Sequence, residues 1–247
     1  MHSLNLHYTA FNKLCNLVPT LCIVCKRQCH GAYSLCPECE AQLPAIGSHC
    51  QRCGLPFPER QLQQARCGNC LGKEFPVQQC HALFHYSSPI NKLLSSFKYR
   101  ARLDIGRSLG CLLAHKMSSV YSKKTAPDLL IPVPMHPRRY FQRGFNQSWE
   151  LTRFCGDMTG FKTCANLVKK TRHTESQTSL SSHKKREANL HKAFAINGRM
   201  ALDNVSKITI IDDTVTTMAT VSALARLLRS HGIPEVEVWC IARTSIR

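Results

Sequence analysis

After about residue 81, apolar residues recur along the chain at two different periods. Spacings of three and four residues, which put apolar side chains on one face of a helix, predict helices over 89–100, 103–121, 145–158 and 219–232. Short runs rich in β-branched residues predict strands over 128–134, 207–213 and 236–243. This alternation predicts an α/β fold, in which a mostly parallel sheet is covered by helices on both faces.

The first 80 residues lack this pattern and are rich in cysteine instead. Eleven of the 15 cysteines lie there, and the other four are spread over the remainder of the chain. A length of 247 residues is enough for two modest domains. The step in composition therefore predicts a small cysteine-rich domain over 1–80 and an α/β domain over 81–247.

Eight of these cysteines form four C-x-x-C pairs, namely Cys22/Cys25, Cys36/Cys39, Cys50/Cys53 and Cys67/Cys70. Each such turn brings two thiolates to one side of a tight loop, which suits two vertices of a zinc tetrahedron. Pairing in chain order predicts two closed, structural zinc sites. Crossed pairing of the four turns, an iron–sulfur cluster with the same ligands, and free thiols are the alternatives.

The charge of the chain favours an anionic partner. Lys and Arg number 33 against 15 Asp and Glu, which leaves a net charge of +18. That value exceeds the roughly 2 to 8 charges that keep a small domain soluble, so we expect nucleic acid, a phosphorylated small molecule or an anionic membrane surface as partner. No run reaches the roughly 20 apolar residues of a membrane span, and the N-terminus lacks the apolar core of a secretory signal. A cytoplasmic location is expected.

The segment Ile208–Thr220 carries the most informative chemistry. A buried strand leads into Asp212 and Asp213, and a Thr-rich loop then opens a helix. Amides at a helix N-terminus, with Thr hydroxyls, form a cradle for phosphate, while paired carboxylates accept hydrogen bonds from a sugar diol or hold hydrated Mg²⁺. A strand followed by an ordinary capped helix is the plain structural alternative.

Two further segments are basic and follow predicted strands or loops. One contains Arg138, Arg139 and Arg143, whose guanidinium groups suit bidentate contacts with phosphate. The other spans Lys169–Phe194 and is polar and basic with no strong periodicity before Arg186, so we expect it to be mobile. Ligand-free surface loops are the alternative in both cases.

These motifs resemble the ComF family of DNA-uptake and DNA-utilisation proteins. The strand–Asp–Asp–loop–helix segment is similar to the phosphoribosyl pyrophosphate (PRPP) signature of type I phosphoribosyltransferases, and "RGFNQ" after "PVP" looks like ComF in particular. The cysteine pairs, "FKYR" and the order Gln177, Leu180, Arg186, Asn189, Phe194 also match the family. The resemblance implies a type I phosphoribosyltransferase-like sheet with flanking helices, preceded by a double zinc ribbon.

The resemblance also implies roles for individual residues. Asp212 and Asp213 would meet the ribose hydroxyls. The implied phosphate-binding residues are Thr214, Thr216, Thr217, Ala219 and Thr220. The residues implied to face pyrophosphate or another anion are Pro134, Arg138, Arg139 and Arg143, and Gln177 and Arg186 would belong to the flexible loop. Met218 stands where the family usually has Gly; Met can adopt helical dihedral angles, so phosphate binding would survive if this position is already in the first helical turn.

The implied function is binding of PRPP, or a related phosphorylated small molecule, with Mg²⁺ in DNA uptake or the use of external DNA. Transfer of ribose 5-phosphate to an acceptor is one reading, and no catalytic residue is assigned. The alternatives are a non-catalytic protein that binds single-stranded DNA, and an adaptor for a DNA-uptake helicase. A basic groove with aromatic residues would favour single-stranded DNA.

Overall fold

A computed structural model describes residues 19–31, 33–57, 66–72, 74–171, 193–198 and 202–245. The helices in these ranges are α1 Pro37–Ala41, α2 Ile90–Arg100, α3 Leu103–Tyr121, α4 Pro137–Arg143, α5 Gln147–Thr159 and α6 Ala219–Ser230. The strands are β1 Thr20–Leu21, β2 Gln28–Cys29, β3 Gln79–His85, β4 Leu129–Pro132, β5 Val168–Lys170, β6 Phe194–Ile196, β7 Lys207–Val215 and β8 Glu235–Arg243.

The central sheet has four strands in the order β3-β8-β7-β4, and every neighbouring pair is parallel. The two central strands, β7 and β8, are nine residues long and almost entirely buried. Burial on both faces is what the runs of β-branched residues predicted. The predicted α/β class, a parallel sheet with flanking helices, is confirmed.

Two hydrophobic cores lie on the two faces of this sheet. The first core joins α2, α3 and α5 to Ile211, Trp239 and Ile241 of the sheet. The second core joins α6 and the antiparallel hairpin β5–β6 to Ile210 and Val238. Neighbouring residues of a strand point to opposite faces, which is why residues 210 and 211 enter different cores.

The cysteine-rich segment is attached to both cores and to the edge of the sheet. The first four ligand cysteines lie beside the first core, which contains Cys22 and Cys36, whereas Cys50 and Cys53 belong to the second. The segment before the third cysteine pair runs along β3, where Pro44 O accepts from His85 N at 2.8 Å. The two zinc modules are therefore packed against the α/β sheet rather than tethered beside it.

Several elements differ from the sequence-based expectations. Strand β7 extends beyond the predicted end at residue 213 to Val215, because β8 runs alongside and pairs with it as far as Arg243. A short helix, α4, forms in the basic segment that contains Arg138, Arg139 and Arg143, where no helix was predicted. Strand β3 was not predicted, since its Gln and His residues interrupt the apolar pattern; it begins at Gln79, and the domain boundary after residue 80 stays a prediction.

The described helices give no sign of a membrane-spanning segment: none combines the length and the apolar character that crossing a bilayer requires.

Candidate zinc centres and anion pocket

The eight paired cysteines form two separate clusters in chain order. The Sγ atoms of Cys22, Cys25, Cys36 and Cys39 all lie within 4.8 Å of one another, and the same holds for Cys50, Cys53, Cys67 and Cys70. The Sγ atoms of Cys25 and Cys36 are 3.8 Å apart, and those of Cys53 and Cys67 are 3.7 Å apart. Four thiolates at about 2.3 Å from zinc would be spaced about 3.8 Å along each tetrahedral edge. The ligand sets predicted for two structural zinc sites are confirmed.

The turns around the cysteine pairs have the shape of zinc knuckles. The residues that follow Cys25 and Cys53 are Lys26 and Gly54, and both have left-handed φ angles, 64° and 67°. In each knuckle their amide donates back to the carbonyl of the pair's first cysteine, at 3.0 Å and 2.8 Å. The second cluster is buried at all four ligands. In each site the four cysteines would fill all four coordination positions of a zinc ion, so no position is left for a substrate, which fits a structural role.

A pocket of about 210 Å³ opens where β4 and β7 end at the carboxyl edge of the sheet. Parallel α/β sheets bind ligands at this edge. Six residues predicted from the sequence line the pocket: Pro134, Arg139, Arg143, Asp212, Asp213 and Thr220. The fold adds residues from α2, the segment around α4, the start of α5, and β5, namely Lys98, Val133, Met135, His136, Asn146, Gln147, Ser148 and Lys170.

The other predicted site residues lie elsewhere. Arg138 is exposed on α4, and Thr216 and Thr217 are exposed in residues 216–218, which we call the phosphate loop. Thr214 belongs to β7, where its hydroxyl donates to Asp213 Oδ2 at 2.9 Å, and Ala219 is the first residue of α6. Gln177 and Arg186 lie outside the described residues.

The two adjacent aspartates have different partners. The Asp213 carboxylate forms an ion pair with the Lys98 ammonium, and both side chains are mostly buried, at 12% and 19% exposed. Burial lowers the pKa of Lys98, but the charge and hydrogen bond of Asp213 outweigh this effect, so the pKa stands above its usual value. Asp212 Oδ1 accepts from Ser148 Oγ and from Asp213 N, each at 2.9 Å. Burial and then the neighbouring Asp213 charge raise the pKa of Asp212 to about 7.

The pocket is also lined by cationic side chains that have no carboxylate partner among the ion pairs of the described residues; we call Arg139, Arg143 and Lys170 the cationic wall. Arg143 lies over the Tyr99 ring at 4.9 Å and donates to Gln147 Oε1 at 3.0 Å, so its guanidinium is held in place. Burial, followed by the positive charge of Arg139, lowers the pKa of Lys170. Crowded cations disfavour one another, and an anion between them relieves that repulsion. The wall is suited to phosphate.

Gln147 leaves a buried donor unused at this wall. Its side chain is 1% exposed, and its Nε2 has no hydrogen-bond partner among the described residues. Because a guanidinium can only donate, the contact with Arg143 fixes Oε1 as the amide's acceptor and leaves Nε2 as a free donor. A buried donor without an acceptor is costly, and an oxygen atom of a bound ligand would satisfy it.

Met218 is not in the first helical turn: it precedes α6 and does not have helical dihedral angles. Its φ and ψ are 66° and −6°, in the left-handed region that glycine occupies readily. The side chain is 4% exposed and belongs to the second core, beside Val215 and Val221. The left-handed conformation costs about 1–2 kcal/mol, and burying a methionine contributes about 1.5–3 kcal/mol. Packing therefore allows a Gly-like backbone at this position.

Sequence reasoning did not assign Lys98, Gln147, Ser148 or Lys170 to the site. Lys98 lies in "FKYR", and Gln147 and Ser148 lie in "RGFNQS". Both segments match the family, but the match gives these side chains no role. Their periodicity placed them on helices, which left open the direction in which each side chain points. The signal that could have found them is polarity on an otherwise apolar helix face.

A parallel α/β sheet with a polar pocket at its carboxyl edge, packed against two four-cysteine centres, defines the class: an α/β protein with a double zinc ribbon. Residues 14–71 match the double zinc ribbon domain family. The chain is 32% identical to Competence protein F of Haemophilus influenzae over 187 residues, which are 75% of this chain and 81% of that protein. It is 34% identical to DNA utilization protein YhgH of Escherichia coli K12 over 189 residues, 72% of this chain and 78% of that protein.

The chain belongs to this family, the ComF family of competence protein F and its DNA-utilisation relatives. Among solved structures it is similar to an allosteric regulatory enzyme of purine biosynthesis, with 16% identity and a TM-score of 0.36 over 54% of this chain and 25% of that one.

Proposed function

We propose that the pocket binds PRPP, or a related phosphorylated small molecule, together with Mg²⁺, and that the protein acts in DNA uptake or the use of external DNA. The names of the relatives, a competence protein and a DNA utilization protein, support the second part. The observation that carries the first part is the unpaired Nε2 of Gln147, a residue that lines the same pocket as the carboxylates and the cationic wall.

Different residues of the pocket and of the phosphate loop would contact the two phosphorylated ends of such a ligand. Arg139, Arg143 and Lys170 would contact the pyrophosphate oxygens, with Gln147 Nε2 as an additional donor. The phosphate loop precedes a 12-residue helix, α6, so its amides and the Thr220 hydroxyl would hold a terminal phosphate.

Asp212 and Asp213 fit a hydrated Mg²⁺ or a ribose diol, because Mg²⁺ prefers carboxylate and water oxygens. The metal would neutralise the charge of the pyrophosphate. Lys98 already neutralises Asp213 in the ligand-free protein, so it would release that carboxylate, or share it, when the ligand enters.

Gln147→Glu is expected to weaken PRPP binding about 100-fold. The change keeps the size of the side chain and an acceptor for Arg143, but it replaces the free donor with an oxygen atom that repels phosphate. Calorimetric titration of zinc-loaded protein with PRPP, with and without Mg²⁺, measures the effect.

Gln142→Glu is the matched control, because it adds the same charge to an exposed position of α4 that does not line the pocket. We expect this variant to bind PRPP like the unmodified protein. Unchanged binding by Gln147→Glu, or no binding by the folded unmodified protein, would contradict the proposal.

A second candidate function, binding of single-stranded DNA, is favoured by a separate basic groove. The groove has a volume of about 560 Å³ and lies between the second zinc module and α6, lined by Arg52, Glu74, Phe75, Pro76, Arg226 and Arg229. Single-stranded nucleic acid binds where cations follow the backbone and an aromatic face is available for stacking. Docking to a DNA-uptake helicase stays a prediction.

Charge reversal in this groove is expected to weaken binding of a labelled oligothymidine about 10- to 100-fold and to reduce the salt dependence by about two charges. The variant is Arg52→Glu/Arg229→Glu, and Lys92→Glu/Lys123→Glu makes the same charge change at exposed positions outside the groove. Fluorescence anisotropy at several salt concentrations measures both. Equal losses in the two variants would mean that the overall charge, not the groove, attracts DNA.

A further inference from the structure

Arg243, the last residue of β8, connects the second zinc site to the phosphate loop. Its side chain is 1% exposed. Nε donates to Cys53 O at 2.9 Å, and Nη1 donates to Val215 O at 3.2 Å, to Thr216 O and to Thr244 O at 2.9 Å. Cys53 is a ligand of the second zinc site, and Thr216 begins the phosphate loop.

The chemistry of this contact set is unusual for a buried guanidinium. Burying such a cation costs several kcal/mol unless its donors are satisfied. Within the described residues Arg243 forms no ion pair with a carboxylate, and its hydrogen bonds go to backbone carbonyl groups. The hydrogen bonds that offset the cost of burying Arg243 therefore require the zinc knuckle and the loop to stay in place.

The packing around the phosphate loop also links its conformation to the second zinc site. Cys50, Cys53, Val215 and Met218 belong to one hydrophobic cluster, the second core. The left-handed backbone of Met218 is a conformation that persists only where neighbouring structure holds it. The knuckle is itself fixed on β3, because Cys80 N donates to Gln51 O at 3.2 Å.

The first zinc site offers an internal comparison. Its cysteines pack on the opposite face of the sheet, in the first core. There the amide of Ser34 donates to Ser108 Oγ of α3 at 3.1 Å. No described contact joins this site to the phosphate loop.

We propose that Arg243 is a positioning residue that makes the shape of the phosphate loop depend on the second zinc site and not on the first. Zinc holds the carbonyl of Cys53 where Arg243 reaches it, and Arg243 in turn holds the carbonyls of Val215 and Thr216. The consequence for ligand binding rests on the proposed function, whereas the consequence for the loop backbone does not.

The test compares three variants of the full chain by hydrogen–deuterium exchange and zinc content. The reporting amides are Ser222 N, which donates to Met218 O at 2.8 Å, and Thr244 N, which donates to Val215 O at 3.2 Å. Cys67→Ser should lose one zinc ion and speed exchange of both amides at least about 10-fold. Cys36→Ser should lose the other zinc ion and leave their exchange as in the unmodified protein.

Arg243→Met removes the donors but keeps much of the bulk, and it should keep both zinc ions while exchange speeds up at the same two amides. If this variant does not fold, the comparison of Cys67→Ser with Cys36→Ser decides. Equal acceleration in the two cysteine variants, or none in Cys67→Ser, would overturn the proposal.

Binding of PRPP by the same variants separates the two proposals. We expect Cys67→Ser and Arg243→Met to bind at least about 10-fold more weakly and Cys36→Ser to bind normally. If the unmodified protein binds no PRPP, the proposed function fails, while the exchange result still tests the role of Arg243.

Discussion

Asp212→Asn and Asp213→Asn are expected to change the stability of the ligand-free protein in opposite directions at about pH 8. Asp213→Asn leaves the mostly buried Lys98 ammonium without its counter-ion, and losing one partner of a buried pair costs about 3 kcal/mol. Asp212→Asn removes a carboxylate whose ionised form is disfavoured by burial and by Asp213, and it keeps an oxygen for Ser148. This variant should be more stable than the unmodified protein.

The pH dependence gives the same comparison a second, independent readout. The pKa of Asp212 rises from 3.8 to about 7 on folding, so between these values the folded state binds more protons than the unfolded state. The stabilising contribution of this group is complete below about pH 4 and is lost as the pH rises through about 7. Asp212→Asn should therefore gain stability relative to the unmodified protein as the pH rises across this window.

Denaturant unfolding at several pH values between about 5 and 8 measures both effects. Both variants should also weaken Mg²⁺-dependent binding of PRPP. In Asp212→Asn weaker binding would therefore accompany higher stability, so a loss of binding there would not be a result of unfolding. If Asp212→Asn lost as much stability as Asp213→Asn, the prediction would be wrong. The ion pair of Asp213 with Lys98 and the hydrogen bond of Asp212 with Ser148 would then not give the two carboxylates different effects on stability.

Removal of zinc is expected to have the largest effect on the whole molecule. Structural zinc contributes about 10–16 kcal/mol of binding free energy in small ribbon modules, and that energy becomes folding energy. Because the two zinc modules pack against different cores of the α/β sheet, unfolding of both modules would expose both cores. A strong chelator should lower the melting temperature by more than about 10 °C.

Elemental analysis and calorimetry measure this effect. Purified protein should contain two zinc ions per chain, in keeping with its two four-cysteine clusters. Cys29→Ser is the control, because Cys29 is buried near the first module without belonging to either cluster. It should keep both ions. Bound iron, or fewer than two zinc ions, would contradict the assignment.

Local sequence patterns were sufficient for the zinc sites and for part of the pocket. A C-x-x-C turn sets the geometry of two ligands within four residues, and the adjacent Asp212 and Asp213 are brought to the pocket by one strand. Features that depend on distant partners were missed. Lys98 is an ordinary residue of an amphipathic helix until α2 packs on the sheet and brings it to Asp213.

The sequence by itself determined the α/β class, the eight cysteine ligands and the carboxylate pair, because short-range spacing and burial patterns encode each of them. Only the tertiary structure decided the order of the strands, the left-handed Met218 and the orphan donor of Gln147. It alone brought Arg243 to Cys53, 190 residues earlier in the chain. Such contacts depend on packing and on the pairing of buried polar groups across the whole molecule, which no local pattern contains.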